Sequence, residues 1–164
     1  MKNKSIIHEP GPEHEYNNSG FLIGGMIDLQ SLFDLALHYK TSADELVRIA
    51  IDLGDGNYIF GYPVLFLYRH SIELALKSLY DKPYDRHNYE HLMDHLRKIA
   101  KERFNEEVPK WFNSWFVQLN KIDPNSEAFR YGEVIGGEYW VSFLELKEIT
   151  DSMFTVFKTV KSQM

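Results

Sequence analysis

The segment Tyr62–Tyr80 constrains the fold most, because its spacing predicts a helix that is apolar around most of its circumference. Pro63 suits the first turn of this helix, and the segment ends before Asp81-Lys82-Pro83. A helix with so much apolar surface is stable only when other elements cover most of its sides. The sequence therefore predicts an all-α protein in which several helices surround this one.

The longest predicted helix begins near Asp28 and ends at Leu53, just before Gly54. Its apolar residues keep the three-and-four spacing of a helix throughout, which favours one continuous helix. A capping box, Ser42-x-x-Glu45, supports the alternative of two shorter helices that break at Ser42.

Three further helices are predicted downstream, which gives an up-and-down helical bundle of about five helices. One covers residues 88–103, one begins near Pro109 with an aromatic face, and the last follows the capping box Ser142-x-x-Glu145. Before the last helix, Val134–Val141 holds a glycine pair between β-forming residues. This segment can form a short β-hairpin.

Composition limits the classes of protein that the chain can belong to. Residues 1–20 are rich in Asn, Gly, Pro and His and are interpreted as a flexible N-terminal arm, followed by a single domain over 21–164. Cysteine is absent, which excludes disulfides and thiolate metal sites, and the net charge of -6 argues against non-specific DNA binding. The chain shows neither a signal peptide nor a membrane span, so we expect a cytoplasmic protein without a membrane partner.

One side of the central helix is polar. Arg69, His70, Glu73 and Lys77 fall within about 100° of its circumference. Their spacing allows a structural ladder of ion pairs, because charges four residues apart are neighbours on a helix. Alternatively, Arg69 and His70 face a cleft and bind an anion such as phosphate, with arginine as a bidentate donor and histidine as a proton-transfer group. We call these four residues the polar stripe.

Histidines recur at every fourth position at the start of the next helix, as His87, His91 and His95, and therefore share one face. The string from His87 through Glu90 to His91 matches the zinc-peptidase pattern H-x-x-E-H, but no third ligand is evident, so no metal is predicted. Arg86 and His91 form a second pattern, R-x4-H. Such a pair provides a cation and a proton-transfer group, which metal-free RNA cleavage requires.

Three motifs follow one another between residues 62 and 131: the Leu-Lys segment Ser71–Tyr80, the helix start His87-Asn88 and the later Arg130-Tyr131. This order resembles the HEPN superfamily, whose members are small helical-bundle domains of bacterial defence and toxin–antitoxin systems. The resemblance implies a bundle that dimerises, sometimes with RNA cleavage at the dimer cleft. Arg86 and His91 fit the family signature R-x4–6-H, although they lie earlier in the bundle than that signature usually does.

The leading hypothesis is a HEPN-like domain that binds RNA or a nucleotide, without a cofactor, and that could act as a metal-independent ribonuclease. Its candidate catalytic residues are Arg86, His87 and His91, and its candidate ligand-binding residues are Arg69, His70, Glu73, Lys77, Arg130 and Tyr131. The alternative is a non-catalytic module that forms a homodimer or binds a protein partner, with the polar stripe as a structural feature. Convergence of Arg69, His87 and Arg130 in one open cleft would favour the first hypothesis, and buried carboxylate partners the second.

Overall fold

The computed structural model describes residues 31–55, 57–80, 89–123, 128–131 and 136–164, and these residues form an all-α helical bundle, as predicted. The α-helices among them are α1 (Leu32–Leu53), α2 (Gly61–Lys77), α3 (Tyr89–Ile99), α4 (Lys110–Ile122), α5 (Ala128–Tyr131) and α6 (Phe143–Lys161). A 3-10 turn, Asn57–Phe60, joins α1 to α2, and a π-helical turn, Ala100–Phe104, extends α3. The predicted arm, 1–20, lies outside the described residues.

The first helix is continuous, which confirms the preferred interpretation over a break at Ser42. It begins at Leu32 because Ser31 and Asp34 form a capping box: each side chain accepts a hydrogen bond from the other residue's backbone N–H. Ser42 does not cap a helix. Its hydroxyl donates to the His38 carbonyl oxygen at 3.0 Å, one turn back within α1.

The central position predicted for α2 is confirmed. It packs along α1 and also contacts α3, α5 and α6. The short turn between α1 and α2 makes these two helices antiparallel neighbours. Ala36 and Ala43 of α1 are fully buried in the core, and their small side chains let the neighbouring helix approach closely.

The predicted starts of the last two long helices are confirmed. Pro109 immediately precedes α4, and the Ser142 hydroxyl accepts a hydrogen bond from the Glu145 N–H at 3.3 Å to cap α6. Phe112 of α4 and Phe157 of α6 then meet edge to face in the core, with ring centroids 5.6 Å apart. This contact fixes the C-terminal helix against the aromatic face of α4.

The hairpin expected before α6 falls partly on Val134 and Ile135, which lie outside the described residues. Residues 136–141 are irregular, and no described residue of the chain belongs to a strand. Gly137 has a φ of 130°, which a side chain would strain, and the Tyr139 hydroxyl donates to the Gly136 carbonyl oxygen at 3.3 Å. Within the described part of the chain, no helix is long and apolar enough to cross a membrane.

Candidate functional site

Arg69, the first residue of the polar stripe, lies in the interior of the bundle and is only 3% exposed. Its Nε lies 3.3 Å from the Asp123 carboxylate at the end of α4, and its guanidinium carbon lies 4.5 Å from the centroid of the Tyr89 ring. The same Asp123 accepts a hydrogen bond from the Ala128 N–H at 3.0 Å, at the start of α5. Arg69 thus connects α2 to α3 and to the end of α4, and Asp123 extends the connection to α5.

Tyr89, at the start of α3, covers this arginine. Its hydroxyl donates to the Arg69 carbonyl oxygen at 2.7 Å. Burial raises the pKa of the Tyr89 hydroxyl, although the neighbouring Arg69 charge acts in the opposite direction. The phenol therefore remains a protonated donor, and the backbone of α2 and the ring of α3 stay bonded across the arginine.

Glu73 and Lys77 form the second buried pair of the polar stripe. The Lys77 ammonium lies 2.8 Å from the Glu73 carboxylate, and both residues are buried. Removing charges from water is expensive unless each meets an opposite charge in good geometry. Asp123 supplies that charge for Arg69, and Glu73 supplies it for Lys77, so both cations of the stripe have buried carboxylate partners.

His70, the remaining member of the polar stripe, is half-buried between aromatic rings. The Tyr39 ring of α1 meets it edge-on with centroids 4.5 Å apart, and the Phe66 ring stacks on it at 5.7 Å. These contacts hold the imidazole at the boundary between α1 and α2.

Of the predicted catalytic residues and the histidine repeat, Arg86 and His87 lie outside the described residues, whereas His91 and His95 are described. His91 is exposed on α3. His95 stacks on Tyr80 with centroids 3.8 Å apart, and its Nε2 lies 3.1 Å from the Leu79 carbonyl oxygen, which can only accept a hydrogen bond. No group of three or more metal-ligating side chains occurs in the part of the chain that the structure describes.

Arg130 and Tyr131 lie on the short helix α5 and are exposed, with the guanidinium carbon 5.3 Å from the centroid of the Tyr131 ring. The buried Phe129 anchors this helix against Tyr62 of α2, with centroids 6.2 Å apart. Arg69 points into the interior and Arg130 lies at the surface, so these two arginines are not presented together in one open cleft.

A polar network that the sequence analysis missed links α1, α2 and α6. The buried Tyr68 hydroxyl donates to the Asp44 carboxylate at 2.7 Å, and Lys40 pairs with both Asp44 and Asp151. Lys147 joins it at 2.6 Å from Asp151. The two Lys-x-x-x-Asp spacings were visible in the sequence, but nothing local indicated that a tyrosine on another helix would join them.

The ionisation of this network follows from its contacts. Burial raises the pKa of Tyr68, and the hydrogen bond to Asp44 raises it further. Burial acts to raise the pKa of Asp151, but its hydrogen bonds from Lys147 and Lys40 dominate and lower it. The hydrogen bond to Asp151 likewise raises the pKa of Lys147. These contacts keep Tyr68 neutral and keep Lys147 and Asp151 charged.

The outer side of α1 carries a second feature that the sequence analysis did not single out. Seven positions repeat there at alternating spacings of three and four, which is the spacing of a helix–helix seam. We call them the outer seam: Leu32, Leu35, Tyr39, Ser42, Leu46, Ile49 and Leu53. The four aliphatic residues towards its two ends are 37–51% exposed, whereas Tyr39 and Leu46 in the middle are partly covered by the core.

No protein-family model, curated protein sequence or solved structure matches this chain.

Proposed function

We propose that this chain is a non-catalytic interaction module that forms a homodimer through the outer seam of α1. The observation that carries the proposal is the exposed apolar repeat itself, which continues along all 22 residues of that helix. Exposed leucine and isoleucine at regular helical spacing are unfavourable in water and become stabilising when a second helix covers them.

The length of the seam supports pairing with another helix. A helix of 22 residues is about 33 Å long, and the repeat spans three heptads. Three heptads are about the minimum for a stable helix pair, and the partly covered centre of the seam implies that its two ends contribute most of the new contact.

The distribution of side-chain size supports an antiparallel arrangement. Ser42 is the small central residue, with Leu35 seven residues before it and Ile49 seven residues after it. Two antiparallel copies that cross at Ser42 would place each Leu35 opposite Ile49 of the second copy. A two-fold axis through such a crossing buries the same surface on both copies, as closed dimers do.

The state of the polar stripe supports a non-catalytic role. Arg69 and Lys77 are the cations that the catalytic hypothesis would aim at a phosphate, yet each has a buried carboxylate partner, Asp123 and Glu73 respectively. Binding an anion there would require breaking one of these pairs and opening the core.

Sedimentation equilibrium or light scattering over a dilution series tests the homodimer. We expect the mass of a dimer at high concentration and of a monomer on dilution, with Leu35→Glu and Ile49→Glu remaining monomeric throughout. Leu144→Glu is the matched control, because Leu144 is a leucine on α6 with 57% exposure and should leave the dimer intact. A monomer at all concentrations, or a dimer that resists both seam variants, would contradict the proposal.

The absence of cysteine from the chain permits a test of orientation by disulfide trapping. In the antiparallel dimer, Ser42→Cys should cross-link to itself, and Leu35→Cys should cross-link only when mixed with Ile49→Cys. The exposed Ser114→Cys on α4 is the control and should remain monomeric. Efficient self-cross-linking of Leu35→Cys would indicate parallel helices instead.

RNA or nucleotide binding, within a HEPN-like bacterial defence or toxin–antitoxin unit, is the second candidate function. The exposed Arg130–Tyr131 pair favours it, because guanidinium and aromatic groups at a surface stack on unpaired bases and contact phosphate. We expect Arg130→Ala and Tyr131→Ala each to weaken binding to a mixed RNA pool about tenfold. Arg86→Ala should abolish any cleavage. Absence of both binding and cleavage by the unaltered protein would remove this candidate.

A further inference from the structure

A groove of about 190 Å³ lies between α4 and the start of α6, on a surface distinct from the outer seam. Its floor is apolar and includes Leu65 of α2, Leu119 of α4 and Leu146 of α6. At its rim stands Trp140, which is 85% exposed and is the most exposed of the chain's large hydrophobic residues among those described. An indole held in water beside a concave apolar surface is typical of a binding site.

Two side chains of this groove offer hydrogen-bond acceptors, Glu145 and Gln118. Among the described residues that line the groove, Glu145 is the only ionisable one. The Glu145 backbone N–H donates to Ser142, and no described residue forms a hydrogen bond or ion pair with its carboxylate. Gln118 also lines the groove, and its amide nitrogen is directed towards Ser114, which leaves its carbonyl oxygen as an acceptor. The groove therefore offers acceptors to a ligand that supplies donors.

Charged side chains of both signs surround the groove, because the Lys121 ammonium of α4 lies 5.7 Å from the centroid of the Tyr139 ring. Glu148 is exposed one turn along α6 from Glu145, and Glu138 is exposed two residues before Trp140. Lys147 points to the other side of α6, where it pairs with Asp151. Among the described residues, the carboxylates of Glu138, Glu145 and Glu148 outnumber Lys121, and Glu145 is the one that lines the groove, so a cation is the group attracted there.

We propose that this groove binds an arginine side chain carried by an apolar segment of a partner protein. The guanidinium would stack on the Trp140 ring and donate to the Glu145 carboxylate and the Gln118 carbonyl oxygen, while flanking apolar side chains cover the floor. Arginine fits better than lysine, because its planar group stacks on an aromatic ring and donates to several acceptors at once.

The three tryptophans give an internal control for the test. Trp140 and Trp115 line the groove, whereas Trp111 is 43% exposed but lies outside it. The indole N–H signals of the ¹⁵N-labelled full chain would be followed while adding an acetylated pentapeptide with one arginine between leucines. We expect saturable shifts of the Trp140 and Trp115 signals and an unchanged Trp111 signal.

Charge recognition is tested with the same peptide carrying citrulline, the neutral isostere of arginine. We expect it to bind about tenfold more weakly, because citrulline keeps the N–H donors but loses the ion pair with the Glu145 carboxylate. Glu145→Gln should weaken binding of the arginine peptide more than binding of the citrulline peptide, because only arginine loses an ion pair. This substitution retains the backbone N–H that bonds to Ser142, so α6 keeps its cap, and the dispersion of the amide spectrum checks the fold.

Three results would overturn the proposal. Equal binding of the arginine and citrulline peptides would show that the groove recognises only the apolar side chains of the peptide and not its charge. Equal shifts at Trp111 would show non-specific binding. Shifts of Trp140 that follow protein concentration without peptide would identify a second copy of the chain as the occupant.

Discussion

Helices α1 and α2 lie side by side and distribute their charged and apolar residues in opposite ways. α2 keeps Arg69, Glu73 and Lys77 inside the bundle, each within reach of an opposite charge. α1 exposes Leu32 and Leu53 at the two ends of its outer seam. Burial of a side chain in this protein therefore depends on the position of its helix in the bundle as well as on the polarity of the side chain itself.

The cause is the number of neighbours that each helix has. α2 contacts α1, α3, α5 and α6, so almost every side chain that it carries must find a partner inside. α1 packs chiefly on α2, and its outer side remains at the surface. A polar residue on α2 therefore needs a partner inside the bundle, whereas an apolar residue on the outer side of α1 stays at the surface.

The largest effect is expected from breaking the ion pair at the centre of α2. Asp123→Ala would leave the Arg69 guanidinium buried without this carboxylate and remove the acceptor of the Ala128 N–H. We expect the free energy of unfolding to fall by about 3–5 kcal/mol, measured by urea denaturation. Asp123→Asn retains an acceptor for Ala128 and isolates the contribution of charge.

The control for this prediction is an ion pair on the exposed side of α1. Arg48 and Asp52 lie 3.1 Å apart in water, so Asp52→Ala should change stability by about 0–1 kcal/mol. Similar small effects of both aspartate variants would show that the buried Arg69–Asp123 pair stabilises the fold no more than an exposed ion pair does.

A smaller change in the free energy of unfolding is expected from the buried pair Glu73–Lys77, because both of its charges can be removed together. Glu73→Gln leaves the Lys77 ammonium buried, whereas Glu73→Gln combined with Lys77→Met removes both charges. The double variant should be more stable than the single variant by about 1–3 kcal/mol. If the double variant is less stable than the single variant, contacts of the Lys77 side chain other than the ion pair with Glu73 stabilise the fold.

Loss of the Tyr68 hydroxyl should lower the free energy of unfolding at neutral pH by less than the changes at the buried ion pairs. Tyr68→Phe removes the hydrogen bond to Asp44 and should lower the free energy of unfolding by about 1 kcal/mol. The pKa of Tyr68 is raised in the folded protein from its ordinary value of 10.0, so only the unfolded chain releases this proton as the pH rises above 10. The unaltered protein then loses stability that the phenylalanine variant retains.

Denaturation at pH 8 and pH 10.5 measures this prediction. The stability difference between the two proteins should be largest at pH 8 and should narrow at pH 10.5. A difference that grows with pH would mean that the folded protein releases the Tyr68 proton more readily than the unfolded chain does.

The smallest effect on folding is expected at the outer seam. Leu35→Glu and Ile49→Glu replace partly exposed residues, and each should change the stability of the monomer by about 0.5 kcal/mol or less. Thermal unfolding at a concentration where the protein is monomeric measures this quantity. A large loss would show that these side chains belong to the core, which would remove the basis of the homodimer proposal.

Most of the fold was predictable from local patterns. The apolar spacing gave the continuous helix α1 and the central α2, and Pro109 and Ser142 marked the starts of α4 and α6. The start of α1 was expected near Asp28, and the capping box at Ser31 and Asp34 was not recognised, because Asp34 stands where the usual pattern has Glu or Gln. The short helix α5 was also missed, since four residues carry too little periodic signal.

The candidate site was less predictable. The four residues of the polar stripe were found from their helical spacing, and the pair Glu73–Lys77 is of the kind that such spacing suggests. The partner of Arg69 could not be predicted in this way, because Asp123 is 54 residues away in the sequence and lies at the end of a different helix. Tyr68 gave no polar signal at all, since a tyrosine within an apolar run looks like ordinary core.

Local sequence patterns are sufficient to show that the chain is helical, which face of each long helix is apolar, where α1 ends and where α4 and α6 begin. Those properties depend on residues within a turn or two of one another. The contacts of Arg69 with Asp123 and of Tyr68 with Asp44, and the exposure of the two ends of the outer seam, follow from the folded bundle alone. These outcomes depend on which helices become neighbours, and that choice results from the packing of the whole bundle rather than from any local pattern.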